Sequence, residues 1–303
     1  MAFLARGHSP DQAPYGEQLS KAIDFVLSTQ QRRGYFSLRA VVPPGGHLTP
    51  GQAVVYNHSI AGLMLGEVYG MSSGERSERI EEAISKALIY HREVQSRKKL
   101  NESDIGGWRY GYPESPQAAS DLSVTGWALM FLRSARNAEF SVPKQYFDEG
   151  LDFVERCYEP QPPVLEKGVF RYRPKESQKE NAQITLANTA SATLTLLLGG
   201  REDFVGVKHA NEWFLSRNYP RPWENNYFYL ASYYSSQAIA QIGGNTWNQV
   251  FPQIAAHLLN EQSDEGAWPS GTSNEKKFGQ CYSTSLAILA LTPAYQLLPI
   301  YQR

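Results

Sequence analysis

The stretch Gly106–Ala138, GGWRYGYPESPQAASDLSVTGWALMFLRSARNA, carries the pattern on which the fold turns. It opens on a Gly-Gly-Trp turn, runs through a polar loop ending at Ser120-Asp121, and closes with a segment from Leu122 onward that has almost no polar side. Glycine permits a sharp reversal, the indole gives the turn apolar surface to pack back, and Asp just before an apolar run is a helix-start signal. A helix that is apolar nearly all round must be buried on most sides.

Working outward, the same grammar recurs. Toward the N-terminus, Leu19, Ala22, Ile23, Val26 and Leu27 fall at helical spacing before QQRRGYF, and the following AVVYNHSIAGLMLGEVYG is apolar nearly all round. Ile80, Ala83, Ile84, Ala87, Leu88, His91 and Val94 make the one-sided stripe that precedes the opening turn. On the C-terminal side, a stripe from Tyr146 to Tyr158 precedes Gly168-Val169-Phe170 and TLANTASATLTLLLGG. VGVKHANEWFLSRN then precedes YFYLASYYSSQAIAQIGG, and a stripe from Val250 to Leu259 precedes QSDEGAWPSG and CYSTSLAILAL. About five helix pairs at a spacing of roughly 40–70 residues signal a helical repeat array. Half-apolar helices suit an outer wall and all-apolar helices an inner one, so the expected fold is all-α, an (α/α)6-type toroid of helical hairpins spanning residues 1–303 as one domain. MAFLARGHSP reads like the end of an inner helix, so Met1–Gly7 is expected to be the tail of a truncated first hairpin whose start lies upstream.

Composition narrows the function. The formal net charge is −1, with 29 Lys+Arg against 30 Asp+Glu, which excludes the broad basic field that nucleic acid requires. Aromatics make up 12% of the chain, with 18 Tyr and 6 Trp spread over every segment. Cys157 and Cys281 form no metal-type pair and are expected to be small buried residues. No apolar run reaches the ~18 residues of a membrane span. A soluble body is expected, with the cytoplasm favoured, a leader upstream left open, no cofactor pattern and no assigned protein partner.

His257-Leu258-Leu259-x-x-Gln262-x-x-x-Gly266-Ala267-Trp268 resembles the Gln-Trp repeat of squalene and oxidosqualene cyclases. Gln95 with Gly107-Trp108 is a longer-spaced copy, and Gln30 with Gly34-Tyr35-Phe36 and Gly168-Val169-Phe170 are degenerate ones. The whole chain resembles the superfamily of terpenoid cyclases and protein prenyltransferase β subunits. Within it, the end TPAYQLLPIYQR most resembles short bacterial squalene cyclase-like proteins with prenyltransferase/squalene oxidase repeats. The resemblance implies the toroid fold and an isoprenoid or lipid ligand.

It also sets two tests of chemistry. Class II cyclases protonate an alkene with the middle Asp of Asp-x-Asp-Asp ahead of an inner helix; set on this chain, the four places hold Ala118, Ala119, Ser120 and Asp121, and the donor falls on Ser120. Protein prenyltransferases hold zinc with Asp-x-Cys, but the residue two before Cys281 is Gly279 and no Asp-x-Cys occurs. Both reference sets are incomplete, so no metal site is assigned and enzymatic activity stays open. Asp121 is the candidate catalytic residue, with an N-cap as the plain alternative. Tyr56, His58, Trp127, Tyr227, Tyr229, Tyr233 and Tyr282 are candidate ligand-binding residues on the inner helices, where electron-rich rings can pack isoprene units; His58 is expected hydrogen-bonded at the lumen rim. Tyr15-Gly16-Glu17-Gln18 imitates a thioester motif without its thiol. Two other functions remain: a non-catalytic binding or scaffold protein, and a carbohydrate-active toroid. The last needs a close carboxylate pair, for which Asp104, Glu114, Asp121, Glu224, Asp264 and Glu265 are available as loop charges expected to be solvated.

Overall fold

The computed structural model describes residues 1–38, 53–110, 119–162, 168–175, 184–216, 227–270 and 275–302. These are helical, with isolated bridges and no strand among them. Two compact units emerge. One comprises residues 8–156 and 173–180, the other 1–7, 157–172 and 181–303.

The first unit holds α2 (Gly16–Ser28), α3 (Val54–Tyr69), α4 (Gly74–Gln95), α5 (Leu122–Asn137) and α6 (Lys144–Arg156). Its most extensive contact joins the two all-apolar helices, α3 and α5, while α4 packs on both and α6 on α5. The α4 stripe is buried at Ile80, Ala83, Ile84, Ala87, His91 and Val94, the spacing of one helix face. By contrast α5 is buried on every side from Val124 to Leu132. Glycine sets the approach of α3 to α5: a Cβ on Gly62 would stand 2.6 Å from the Phe131 ring, and one on Gly66 would overlap Ser134.

The second unit holds α1 (Ala2–Ala5), α7 (Leu186–Leu198), α8 (Val205–Leu215), α9 (Phe228–Ile242), α10 (Gly244–Asn260) and α11 (Gln280–Leu291). Again the all-apolar helices make the dominant contacts, α7 with α9 and α9 with α11, and α8 and α10 flank them. The N-terminal segment is no free coil. Leu4 and Ala5 are buried and α1 packs against α11.

Turns joining an apolar helix to the next flanking helix are short, whereas the returns are long, and those after α2, α4 and α10 carry the Gln-Gly-aromatic pattern. The physics of that pattern is a satisfaction problem. The last carbonyls of a helix have no intrahelical partner. The Gln95 carboxamide donates to the Gly106 carbonyl at 2.9 Å and to Tyr146 of α6 at 2.8 Å, and the Trp108 indole donates to the His91 carbonyl at 3.0 Å. Gln262 and Trp268 repeat the arrangement on Gly266 and Leu258. The copy at Gln30, degenerate in its aromatic residues, is intact in its bonds: Gln30 donates to Gly34 at 3.0 Å and to Ala83 of α4 at 2.8 Å. A threonine in the first turn of the next apolar helix completes the joint. Thr125 accepts from the Trp108 amide, Thr189 from Val169 and Phe170, and Thr284 from Trp268.

Overpacking against Phe131 should make Gly62→Ala cost about 1–3 kcal/mol. Gln95→Leu should cost about 2–4 kcal/mol, because two enclosed carbonyls lose their donor, while Gln262→Leu, in a turn open to water, should cost under about 1 kcal/mol. Urea midpoints at unchanged slope measure all three.

Candidate functional site

The opening stretch places its polar residues at the N-terminal end of α5. Asp121 is the N-cap: one carboxylate oxygen accepts from the Val124 amide at 2.9 Å and the Ser123 hydroxyl at 2.8 Å, and the other faces Arg109 at 3.8 Å. The loop charges expected to be solvated divide here. Asp264 and Glu265 are exposed, but Asp104 and Asp121 are wholly buried, because backbone amides and guanidinium groups replace their water. Glu114 and Glu224 lie outside the described residues.

Asp104 is the anchor beneath this end. Its carboxylate accepts from the Ser120 amide at 3.1 Å and from Asn101 at 3.1 Å, and Arg173 approaches it at 3.5 Å. Ser120 in turn donates its hydroxyl to the Asp104 carbonyl at 2.6 Å. Lys99 donates to the Gly107 carbonyl at 2.6 Å; burial lowers its pKa to about 8, with Asp104 opposing that shift and Arg97 adding to it. Sequence reasoning missed Asp104 as a buried group, since nothing in ESDIGG marks it off from a surface turn.

Two candidate ligand residues meet in the same unit. Tyr56 of α3 accepts a hydrogen bond from the Trp127 indole of α5 at 2.9 Å. A third ring, Tyr110, lies on Tyr56 with centroids 5.4 Å apart and planes within 13°. Trp127 is buried, Tyr56 is half-buried and Tyr110 is 40% exposed, so two stacked phenol rings form a ledge braced from below by indole. Tyr110 follows Arg109 in the same turn that contains Trp108, and this adjacency was its only signal in the sequence.

His58 departs from the expected position. It is wholly buried, its ring nitrogens make no hydrogen bond, and it packs among Phe36, Tyr90, His91 and Phe131 instead of standing hydrogen-bonded at an open rim. The helical register of α3 turns position 58 toward α4, two residues on from Tyr56.

The second unit gathers Tyr229 and Tyr282 around a carboxylate absent from the expected set. Glu275 is fully buried and accepts from the Tyr229 and Leu230 amides at the start of α9. Burial raises its pKa, while these amides, the Tyr282 side chain and the Phe228 amide oppose the rise. Tyr229 and Tyr233 are buried, Tyr233 being hydrogen-bonded to the Tyr301 hydroxyl, while Tyr227 is 39% exposed and Tyr282 half-buried against Phe278. One cysteine also differs from expectation: Cys157 is buried as expected, but Cys281, in the first turn of α11, is exposed.

No protein-family model and no curated protein matches the sequence. Solved structures do. The type II terpene cyclase MstE from Scytonema is similar over 91% of this chain and 73% of its own, with a TM-score of 0.61 at 16% identity. A point variant of that cyclase, solved in complex with its substrate geranylgeranyl dihydroxybenzoate, covers 93% of this chain and 78% of its own at a TM-score of 0.57 and 16% identity. A protein from Actinoplanes is similar over 92% of this chain and 74% of its own, with a TM-score of 0.58 at 16% identity. At this identity the likeness establishes the fold alone, an all-α toroid.

Removing the Asp121 carboxylate should cost about 1 kcal/mol as a lost cap. Asp121→Asn, which can still accept from the Val124 amide, should recover most of that loss in thermal unfolding.

Proposed function

We propose that this chain binds an isoprenoid or another apolar ligand on the aromatic ledge of Tyr56, Tyr110 and Trp127, without class II cyclisation. The stacked pair with its exposed outer ring carries the proposal. Flat, electron-rich faces pack against unsaturated hydrocarbon and steady positive charge, and the Trp127–Tyr56 hydrogen bond fixes the inner ring in place before a ligand arrives. The solved complex of a terpene cyclase with a geranylgeranyl compound supports this class of ligand for the shared fold.

Chemistry at the site argues for binding over the cyclase reaction. Class II protonation needs a strong acid where this chain has Ser120, whose hydroxyl is spent on the Asp104 carbonyl. Asp121 is the remaining acid at the start of the ledge's helix. Its carboxylate is engaged as an acceptor, from the Val124 amide and the Ser123 hydroxyl, which is the reverse of a proton donor's part. Tyr227 and Tyr282, with their exposed or half-exposed rings, are proposed ligand contacts in the second unit, and Tyr229 and Tyr233 hold those rings' helices.

The test is lipid extraction and native mass spectrometry of the purified chain, followed by titration with squalene and with geranylgeranyl diphosphate read by tryptophan fluorescence. A co-purifying or added isoprenoid should bind, and Tyr110→Ala should weaken it about tenfold, the worth of one aromatic contact. Tyr56→Phe should weaken it less than Tyr56→Ala. A chain that carries no lipid and ignores both probes overturns the proposal and leaves the scaffold function.

A further inference from the structure

Two buried histidines stand apart from everything described so far. His58 of α3 and His91 of α4 are 0% and 1% exposed, and their ring centroids are 5.5 Å apart. Phe131 of α5 lies edge-on to both, at 5.7 and 5.1 Å, and Trp108 stacks on His91 at 4.7 Å. None of the four ring nitrogens makes a hydrogen bond, and neither does the adjacent Tyr90 hydroxyl. Packing alone does not require this. An apolar side chain of similar size would fill the same space without leaving polar atoms dry, and buried polar groups without partners are rare enough to demand a reason. What histidine adds is a proton that can be taken up between neutral and mildly acidic pH.

We propose that His58 and His91 form an acid-sensitive latch at the α3–α4–α5 junction, which opens when either imidazole takes up a proton. Water lies within reach of the junction. A pocket of about 30 Å³, room for one or two waters, is lined by His91 together with Arg92, Gln95, Leu132 and Tyr146. The ring nitrogens themselves are closed off from it, so a proton reaches them only as the junction opens, and among the described residues no carboxylate is hydrogen-bonded to either ring. On α4 the neighbouring titratable groups are Tyr90 and Arg92; Arg92 pairs with Glu149 of α6 at 2.5 Å and lies over the Tyr146 ring. On α3 the nearest acid is Glu67, nine residues along and committed to Ser134. Among the described residues, the rings that α5 and the turns pack on the pair are Phe131, Trp108 and Phe36, which are uncharged. An imidazolium therefore meets another imidazole, a guanidinium and rings.

The direction of the pH effect follows. Burial holds His58 down to about 3, opposed in part by the Ala87 carbonyl, and burial together with the neighbouring His58 holds His91 well below its ordinary value, opposed by the Ala128 carbonyl. Neither carbonyl reaches hydrogen-bond geometry. In the unfolded chain both titrate near ~6.5. Below that pH the unfolded or opened state binds more protons than the closed one, so closure is at full strength above ~6.5 and weakens steadily as pH falls toward the folded values. Two imidazoles held neutral lower the closed-to-open ratio by up to about a hundredfold per pH unit in that window.

Hydrogen exchange of the full chain between pH 7 and 4.5, corrected for intrinsic rates, tests this against His58→Phe/His91→Phe. In the natural chain α3, α4 and α5 should lose protection before α7, α9 and α11, and the double variant should abolish that difference. Should it fail to fold, imidazole NMR of the natural chain decides: two ring signals flat from pH 8 to 5 support the latch, and titration of both near 6.5 in the folded state overturns it. An unchanged acid profile in the double variant overturns it as well. So does a rise in melting temperature with added zinc that is lost in His58→Gln, which would make the pair a metal site.

Discussion

Every helical repeat of this kind must return its chain from the end of a one-sided helix to the start of a buried one, and at that return several backbone carbonyls have no partner. The glutamine carboxamide answers this constraint, and the rest of the structure depends on the answer. At Gln30 and Gln95 the same nitrogen reaches its own turn and the next flanking helix, so one side chain closes a helix end and fixes the spacing between successive repeats. The turn glycines sit in the same contact. Gly34 has a φ of 91° against Lys86 of α4, and Gly106 a φ of 86° against Glu149 of α6, positions where any Cβ would enter the neighbour's backbone. Trp108 then carries the register inward, because its carbonyl accepts from the Asp121 amide and its own amide donates to Thr125. The candidate site is the far end of this chain of bonds.

That lineage explains why polar side chains collect at the start of α5. A fixed turn beside a helix N-terminus offers unpaired amides and a partly positive end, which together stabilise buried carboxylates. Asp121 takes the Val124 amide of its own helix and Asp104 takes the Ser120 amide just outside it, each with an arginine close by. The second unit solves the same problem with Glu275, supplied to α9 by the loop before α11. The aromatic ledge rests on this framework, since Trp127 lies on the helix that Asp121 caps and Tyr110 leaves the turn that Trp108 anchors.

The fold was legible because burial is periodic. One-sided stripes such as that of α4 and all-round apolar runs such as α5 and α7 announce opposite solvent exposure, and their alternation leaves few architectures. Asp121 as a cap was legible too, from its place before an apolar run. Long-range partners were not. Asp104 looks like any turn acid until Ser120, sixteen residues on, lends its amide, and Glu275 sits in a lysine-rich loop far from the Tyr229 amide that it serves. His91 passed for one more residue in the α4 stripe, and its meeting with His58 depends on how two helices lie together. The Gln30 joint was undervalued for a related reason: its aromatic residues had diverged, but the carboxamide that does the bonding had not.

The joint fixes its two ends and says nothing about the distance between them. Gln262 and Trp268 are bridged by a short turn, whereas Gln95 and Trp108 close the same bonds around a longer excursion. The loops leading into the buried helices are thus modular in length. Residues inserted at exposed positions between the carboxamide and the indole lengthen the loop at modest entropic cost and leave the helical framework in register. Such a scaffold lets the rim above each buried helix diversify independently of the core, which gives an evolving lineage or a protein engineer several separate places to write new specificity onto one frame.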